Sequence, residues 1–237
     1  EIGVRLVGSE MCIRDRVITG TYVGDYDYVL DLLDRCYFPT REGVANFHDN
    51  FVDALILAGE EKIAEGKVEQ AVTLYKKAFT YPENHQVFLV DERATHDAQI
   101  NYCLGEAYAA LGQDAEAEKY WKLAAEQDYE LKGSKDFRYW TGLALERLGR
   151  KAEAEAIFSA LVADGEAAVV TQHVNFYGAE GTTGVTVDII NSAAYYTQAL
   201  GHLGLGHRGK AKRLFAEVQR LKPDHLWANE FMKQFEK

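Results

Sequence analysis

Three cysteines, three prolines and two methionines in 237 residues set the first limits on this chain. Cys12, Cys36 and Cys103 are odd in number and widely spaced, so they form neither a disulfide framework nor a four-ligand metal site, and they suit a reducing compartment. A cytoplasmic location is the expectation. Scarce proline removes the commonest helix breaker. No apolar run approaches the roughly 18–20 residues needed to span a bilayer, which argues against a membrane protein. Basic residues are outnumbered, 26 Lys plus Arg against 37 Asp plus Glu, giving a formal charge of −11. With no basic footprint, nucleic acid is not expected as the main partner. The chain opens without methionine and without a basic-then-apolar leader, so no signal peptide is read here, although an upstream one could have been cut away. Its first sixteen residues, EIGVRLVGSEMCIRDR, contain MCIRDR, which resembles a translated sequencing-adapter scar of metagenomic assemblies. Residues 1–16 are therefore expected to be a non-native or disordered leader, with the native N-terminus missing.

What remains is ordinary for a folded protein: 47% hydrophobic and 27% charged residues, with twenty glycines and fourteen tyrosines. The size permits one large domain or two small ones without disulfide or metal staples. A period search finds one pattern four times: a small residue, Gly seven positions on, Ala five further, an aromatic four beyond, and a small or aliphatic residue three later. The instances are Gly59–Gly66–Ala71–Tyr75–Ala78, Gly105–Gly112–Ala117–Trp121–Ala124, Gly142–Gly149–Ala154–Phe158–Leu161 and Ala199–Gly206–Ala211–Phe215–Val218. Each reads as two helices joined by a tight turn. The middle Gly ends the first helix, and the small residue before it lets the helices approach. Ala fits beneath the first helix, and the aromatic fills the remaining gap.

This pattern resembles the tetratricopeptide repeat. The resemblance implies an all-α, right-handed superhelical array of helical hairpins, with units near 52–82, 98–128, 135–165 and 192–223. The turn glycines lie 46, 37 and 57 residues apart, against about 34 for a regular array, so insertions separate the units. One lies around residues 82–93; another, around 164–191, contains GAEGTTG at Gly178–Gly184. Helices are expected over 52–65, 68–80, 97–111, 114–127, 135–148, 151–163, 190–205 and 208–221. An amphipathic helix over 25–37, capped by Asp25 or Asp27, precedes them. A capping helix over 224–235 carries Leu226, Trp227, Phe231 and Phe235 on one apolar face. Residues 17–237 are read as a single solenoid. The strings LLDRCYFPTREG and AFTYPENH also look like the C-terminal repeat region of large bacterial proteins whose upstream domain, of unknown function, has a carbohydrate-enzyme-like appearance.

In the family resembled, ligands lie along a concave groove lined by positions 2, 5, 9 and 12 of each first helix. That register nominates Asp53, Glu60, Gln99, Tyr102, Glu106, Asp136, Tyr139, Glu146 and Tyr196 as groove residues. The groove is then acidic and tyrosine-lined across the first three units and more apolar in the fourth, and its acids suit a basic peptide. It lacks the Lys, Arg and Asn of the family's carboxylate clamp. Each tyrosine has a competing reading as packing against the next unit, and each acid as solvated charge. His173, Phe176 and Tyr177 of the last insertion are second candidates, because long connections often carry function.

Catalysis is not expected. No histidine pair with a flanking Glu signals a metal site. His202 and His207 straddle a turn and would need a third ligand. Asp97 is the better N-cap of the pair His96–Asp97, and buried Cys103 is packing rather than a nucleophile. No metal and no cofactor are implied. The expected role is a non-catalytic scaffold that binds a protein or peptide, or packs on an upstream domain of the same polypeptide. The alternative is an accessory domain of a larger carbohydrate-active enzyme. Oligomeric state is left open.

Overall fold

The computed structural model describes residues 2–39, 47–80, 82–85, 96–127, 135–171 and 187–236, with side chains described from Ile13 onward and not at Lys135. Among these the chain is all α: eleven α-helices, one 3-10 turn and an isolated bridge between Phe38 and His85. It divides into two compact units, Glu1–Gln127 and Asp128–Lys237. The first holds α1 (Ile2–Val23), α2 (Tyr26–Arg35), α3 (His48–Ala64), α4 (Val68–Lys77), α5 (Asp97–Ala110) and α6 (Asp114–Ala125). The second holds the 3-10 turn Lys135–Phe137 and then α7 (Arg138–Arg147), α8 (Lys151–Ala168), α9 (Val187–Gly204), α10 (Arg208–Leu221) and α11 (Leu226–Lys233). In both units each odd-numbered helix pairs with the next even one, and consecutive hairpins stack, α2 on α3 and α4 on α5 in the first, α8 on α9 in the second.

The hairpin turns share one hydrogen-bond scheme. Gly66, Gly112, Gly149 and Gly206 all have φ between +69° and +77°. At Gly112 the amide donates to Ala109 at 3.0 Å and the next amide, Gln113, reaches back to Tyr108 at 2.9 Å. The same two bonds recur at Gly66, Gly149 and Gly206. This turn satisfies carbonyls that a helix end otherwise leaves unpaired, and its left-handed residue favours glycine. Just upstream, the helices touch through missing side chains. A Cβ on Gly105 would stand 2.3 Å from the Trp121 ring, and one on Gly59 2.2 Å from Tyr75. Ala71, Ala117, Ala154 and Ala211 are fully buried beneath the first helices, as the pattern requires. At the α8–α9 contact the neighbour is backbone: a Cβ on Gly165 would meet the Ala194 carbonyl oxygen at 2.6 Å, and one on Gly201 that of Phe158 at 2.6 Å.

A fifth hairpin, α1–α2, follows the same register. Gly24 turns it at φ +81°, with Asp25 donating to the Gly20 carbonyl at 2.9 Å. Val17, Val29 and Leu33 occupy the small, Ala and aromatic positions and are buried. The stretch 1–16, expected to be a non-native or disordered leader, contributes from Ile2 onward to α1. Asp25 does sit at the N-cap of α2, but its side chain makes no capping bond. Likewise His96, not Asp97, is the N-cap residue of α5, and Asp97 lies in the first turn, where a carboxylate still meets the positive helix end.

The described ends of both insertions are pinned. Asn84 donates to the carbonyls of Leu33 at 2.8 Å and Cys36 at 2.7 Å, and the His85 ring bonds the Leu33 carbonyl at 3.0 Å, so the insertion satisfies the end of α2. Asn191, early in α9, pairs through its amide with both the N–H and the carbonyl of Val170, at 2.9 and 3.0 Å. Those two bonds clamp together the ends of the second insertion. GAEGTTG, His173, Phe176 and Tyr177 lie outside the described residues.

Candidate functional site

The nominated groove residues fall on first helices in both units except Asp136, which lies in the 3-10 turn Lys135–Phe137 just ahead of α7 rather than inside the helix expected over 135–148. In the first unit, Asp53 and Glu60 lie on α3, and Gln99, Tyr102 and Glu106 on α5. Glu60 is exposed and Asp53, Tyr102 and Glu106 are half-buried, whereas Gln99 is buried in the packing. Ile56, at the equivalent of the tyrosine position, is fully buried. Glu106 accepts a hydrogen bond from the Trp121 indole at 3.1 Å, which fixes its carboxylate. Burial pushes the Cys103 thiol well up, and the charges of Glu60 and Glu106 push it further. Two carboxylates from successive first helices thus act on one buried atom. The same raised pKa makes Cys103 a poor nucleophile.

In the second unit the arrangement is aromatic. Asp136 is half-buried and Glu146 exposed, but Tyr139 and Tyr196 are buried, only 5% and 8% accessible. Phe231 of α11 lies edge-on to Tyr139 with centroids 5.7 Å apart, stacks on Phe215 at 5.2 Å, and approaches Tyr196 at 6.4 Å. Trp140 meets Trp227 at 6.3 Å and Phe231 at 6.2 Å. For Tyr139 and Tyr196 the packing reading therefore describes the rings as they stand. Trp140 and His225 were not singled out from the sequence. Trp140 falls between the groove positions, and its role becomes visible only once α11 is seen to cross it.

The described histidines make no metal site. Among the described residues no group of three or more His, Cys, Asp or Glu side chains is placed to hold an ion. His202 and His207 approach Nδ1 to Nδ1 at 3.3 Å on the surface, with no third ligand in that set. His48, His85 and His96 gather near Phe38, Phe47 and Phe51, where burial lowers His48 to about 4 and also lowers His85. His96 Nε2 lies 3.5 Å from Asp49. These rings belong to a packed core.

Helix pairs closed by a left-handed glycine, four of the five with an aromatic residue at the locking position, define the architecture as tetratricopeptide-like. No family model and no curated protein matches the chain. Among solved structures, YrrB, described as a TPR protein with an unusual peptide-binding site, aligns at 16% identity and a TM-score of 0.33, covering 94% of this chain and 92% of YrrB. MamA of AMB-1 aligns at 19% identity and 0.32, covering 90% and 98% of the two chains. MamA of MSR-1 aligns at 16% and 0.32, covering 91% and 97%. No helix among the described residues is long and apolar enough to cross a membrane.

Proposed function

We propose that this chain is a non-catalytic scaffold that binds a basic protein segment or peptide along the first helices of its first unit. The observation that carries this reading is the division of labour on α3 and α5. Gly59 and Gly105, where the hairpins close on Tyr75 and Trp121, are buried, while Asp53, Glu60, Tyr102 and Glu106 retain solvent contact on the first-helix side. Tyrosine supplies wide contact area with one hydroxyl at small entropic cost, and the carboxylates supply charge complementarity to Lys and Arg. Replacing Tyr102 by Ala together with Glu106→Gln should weaken binding of a Lys/Arg-rich peptide by about 1–4 kcal/mol, read by fluorescence anisotropy. Unchanged affinity in a variant with wild-type circular dichroism sinks the assignment.

A second reading is favoured by the N-terminal hairpin: this chain as the repeat region of a larger protein, docking a domain of that protein. Val23 is 73% exposed and Tyr37 54%, unusually open for apolar side chains. Val23 and Tyr28 also line a shallow cleft of about 320 Å³ between α1 and α2 with Asp15, Arg16 and Thr19. Such a partner includes the carbohydrate-active domain implied by the sequence resemblance. Expressing the gene's upstream region separately and testing its binding to wild type and to Tyr28→Glu decides the matter: this reading requires binding that the substitution abolishes.

A further inference from the structure

The last helix does more than close the end of the second unit. An end cap needs contact only with the final hairpin, α9–α10. Yet Trp227 and Phe231, one turn apart on α11, reach back to Tyr139 and Trp140 on α7, the first helix of the preceding hairpin. Phe231 thereby covers Tyr139, one of the nominated groove residues. The attachment is also light. Of the eight residues of α11 only Ala228 is fully buried; Trp227, Phe231 and Met232 are partly accessible, whereas Phe215, on which Phe231 stacks, is completely buried. Polar ties of this region include three at its edges. Gln219 donates to Asn229 at 2.9 Å, Asn229 to the Pro223 carbonyl at 3.0 Å, and Arg208 to the Gln234 carbonyl at 3.4 Å. The Arg208 guanidinium also lies 4.9 Å over the Phe235 ring. A short helix held by half-buried rings and surface bonds opens locally at low cost compared with the helices below it.

We propose that the aromatic face of the second unit, built by Tyr139, Trp140, Tyr196 and Phe215, is a helix-binding site that α11 occupies in cis. Its external partner is an amphipathic helix presenting two aromatic rings one turn apart, which displaces α11. The bound helix runs in the direction of α11, its C-terminal carbonyls toward Arg208, where a cation suits the negative helix end. The mode is that of an amphipathic helix laid on an apolar receptor face, with its anchors at i and i+4. The competition gives regulation directly, because the apparent affinity for the partner is reduced by the fraction of molecules in which α11 is seated. This proposal rests on the scaffold reading but concerns a different face, so the two fail separately.

The probe is a fluorescent peptide of residues 223–236, added to the full chain. Wild type, its site filled, binds weakly. The full-length double variant Trp227→Ala/Phe231→Ala, its α11 released, binds at least tenfold more tightly, and the same peptide with both rings changed to Ala binds neither protein. Equal binding to wild type and variant overturns the proposal, as does no binding to a variant that keeps its helical content. Hydrogen exchange on wild type covers the case of a variant that unfolds. The amides of α11 should exchange through an opening that leaves α9 and α10 protected; exchange of all three in one step contradicts cis occupancy. Failure here, with Tyr102-dependent binding of basic peptides intact, leaves the scaffold reading standing.

Discussion

At the scale of single residues, two kinds of glycine do different jobs, and substitution separates them. Gly112 has φ +69° and nothing within 4 Å of a built Cβ, so Gly112→Ala adds only left-handed backbone strain, about 1 kcal/mol. Gly105 is helical, and its new methyl would collide with the Trp121 ring at 2.3 Å. Gly105→Ala must push the indole aside and disturb its bond to Glu106, costing about 1–3 kcal/mol by overpacking. Urea midpoints of the two variants give the comparison, and a larger loss at Gly112 contradicts this division. Both roles were legible in the sequence because the constraint is local: a glycine seven residues after a small residue, with an aromatic nine further on. The α8–α9 contact through Gly165 and Gly201 was not legible. Glycines inside an apolar helix carry no mark of which neighbour comes close.

Helices and hairpins were legible in proportion to how far they use the consensus residue types. Four hairpins emerged from their glycine, alanine and aromatic positions. The fifth, α1–α2, keeps the spacing but fills it with Val17, Val29 and Leu33, which pack as well without resembling the pattern. Its first helix also begins in the stretch set aside as a leader. The existence and apolar face of α11 were readable, but its reach onto α7 was not, because that contact depends on how two hairpins stack. One consequence for α11 concerns pH. His225 caps it by accepting the Ala228 amide on Nδ1 at 3.2 Å, which requires a neutral ring packed against Tyr196, with Lys222 and Asp224 as nearby charges. Burial, aided by Lys222, lowers its pKa from 6.5 to about 4. The neutral form is favoured in the folded state, so the stabilisation is complete above pH 6.5 and is lost as pH falls through about 4. The linked loss is up to about 3 kcal/mol. Exchange protection of α11 should fall over that window in wild type and lose this dependence in His225→Ala. A wild-type α11 equally protected at pH 7 and pH 4 refutes the coupling.

At the scale of the molecule, an excess of acid is joined to a set of helical hairpins whose small residues at the helix crossings are buried and whose first helices hold most of the nominated groove residues. The sequence register placed the candidate residues on first helices but could not sort them. Gln99, Tyr139 and Tyr196 share positions with residues that keep solvent contact, and only tertiary packing distinguishes them. The two units also differ in character, one acidic with Tyr102 and the other aromatic and covered by α11, a difference that periodicity alone does not reveal. Since complementary charge acts mainly through association rate and is screened by salt, the first unit should favour basic segments most at low ionic strength. The central claim is most directly tested by selecting from a random twelve-residue peptide library on the intact chain, at low salt. The scaffold reading predicts enrichment of Lys- and Arg-bearing sequences that is lost with Tyr102→Ala/Glu106→Gln. A library emerging with no bias in charge, or an identical bias in the variant, contradicts it.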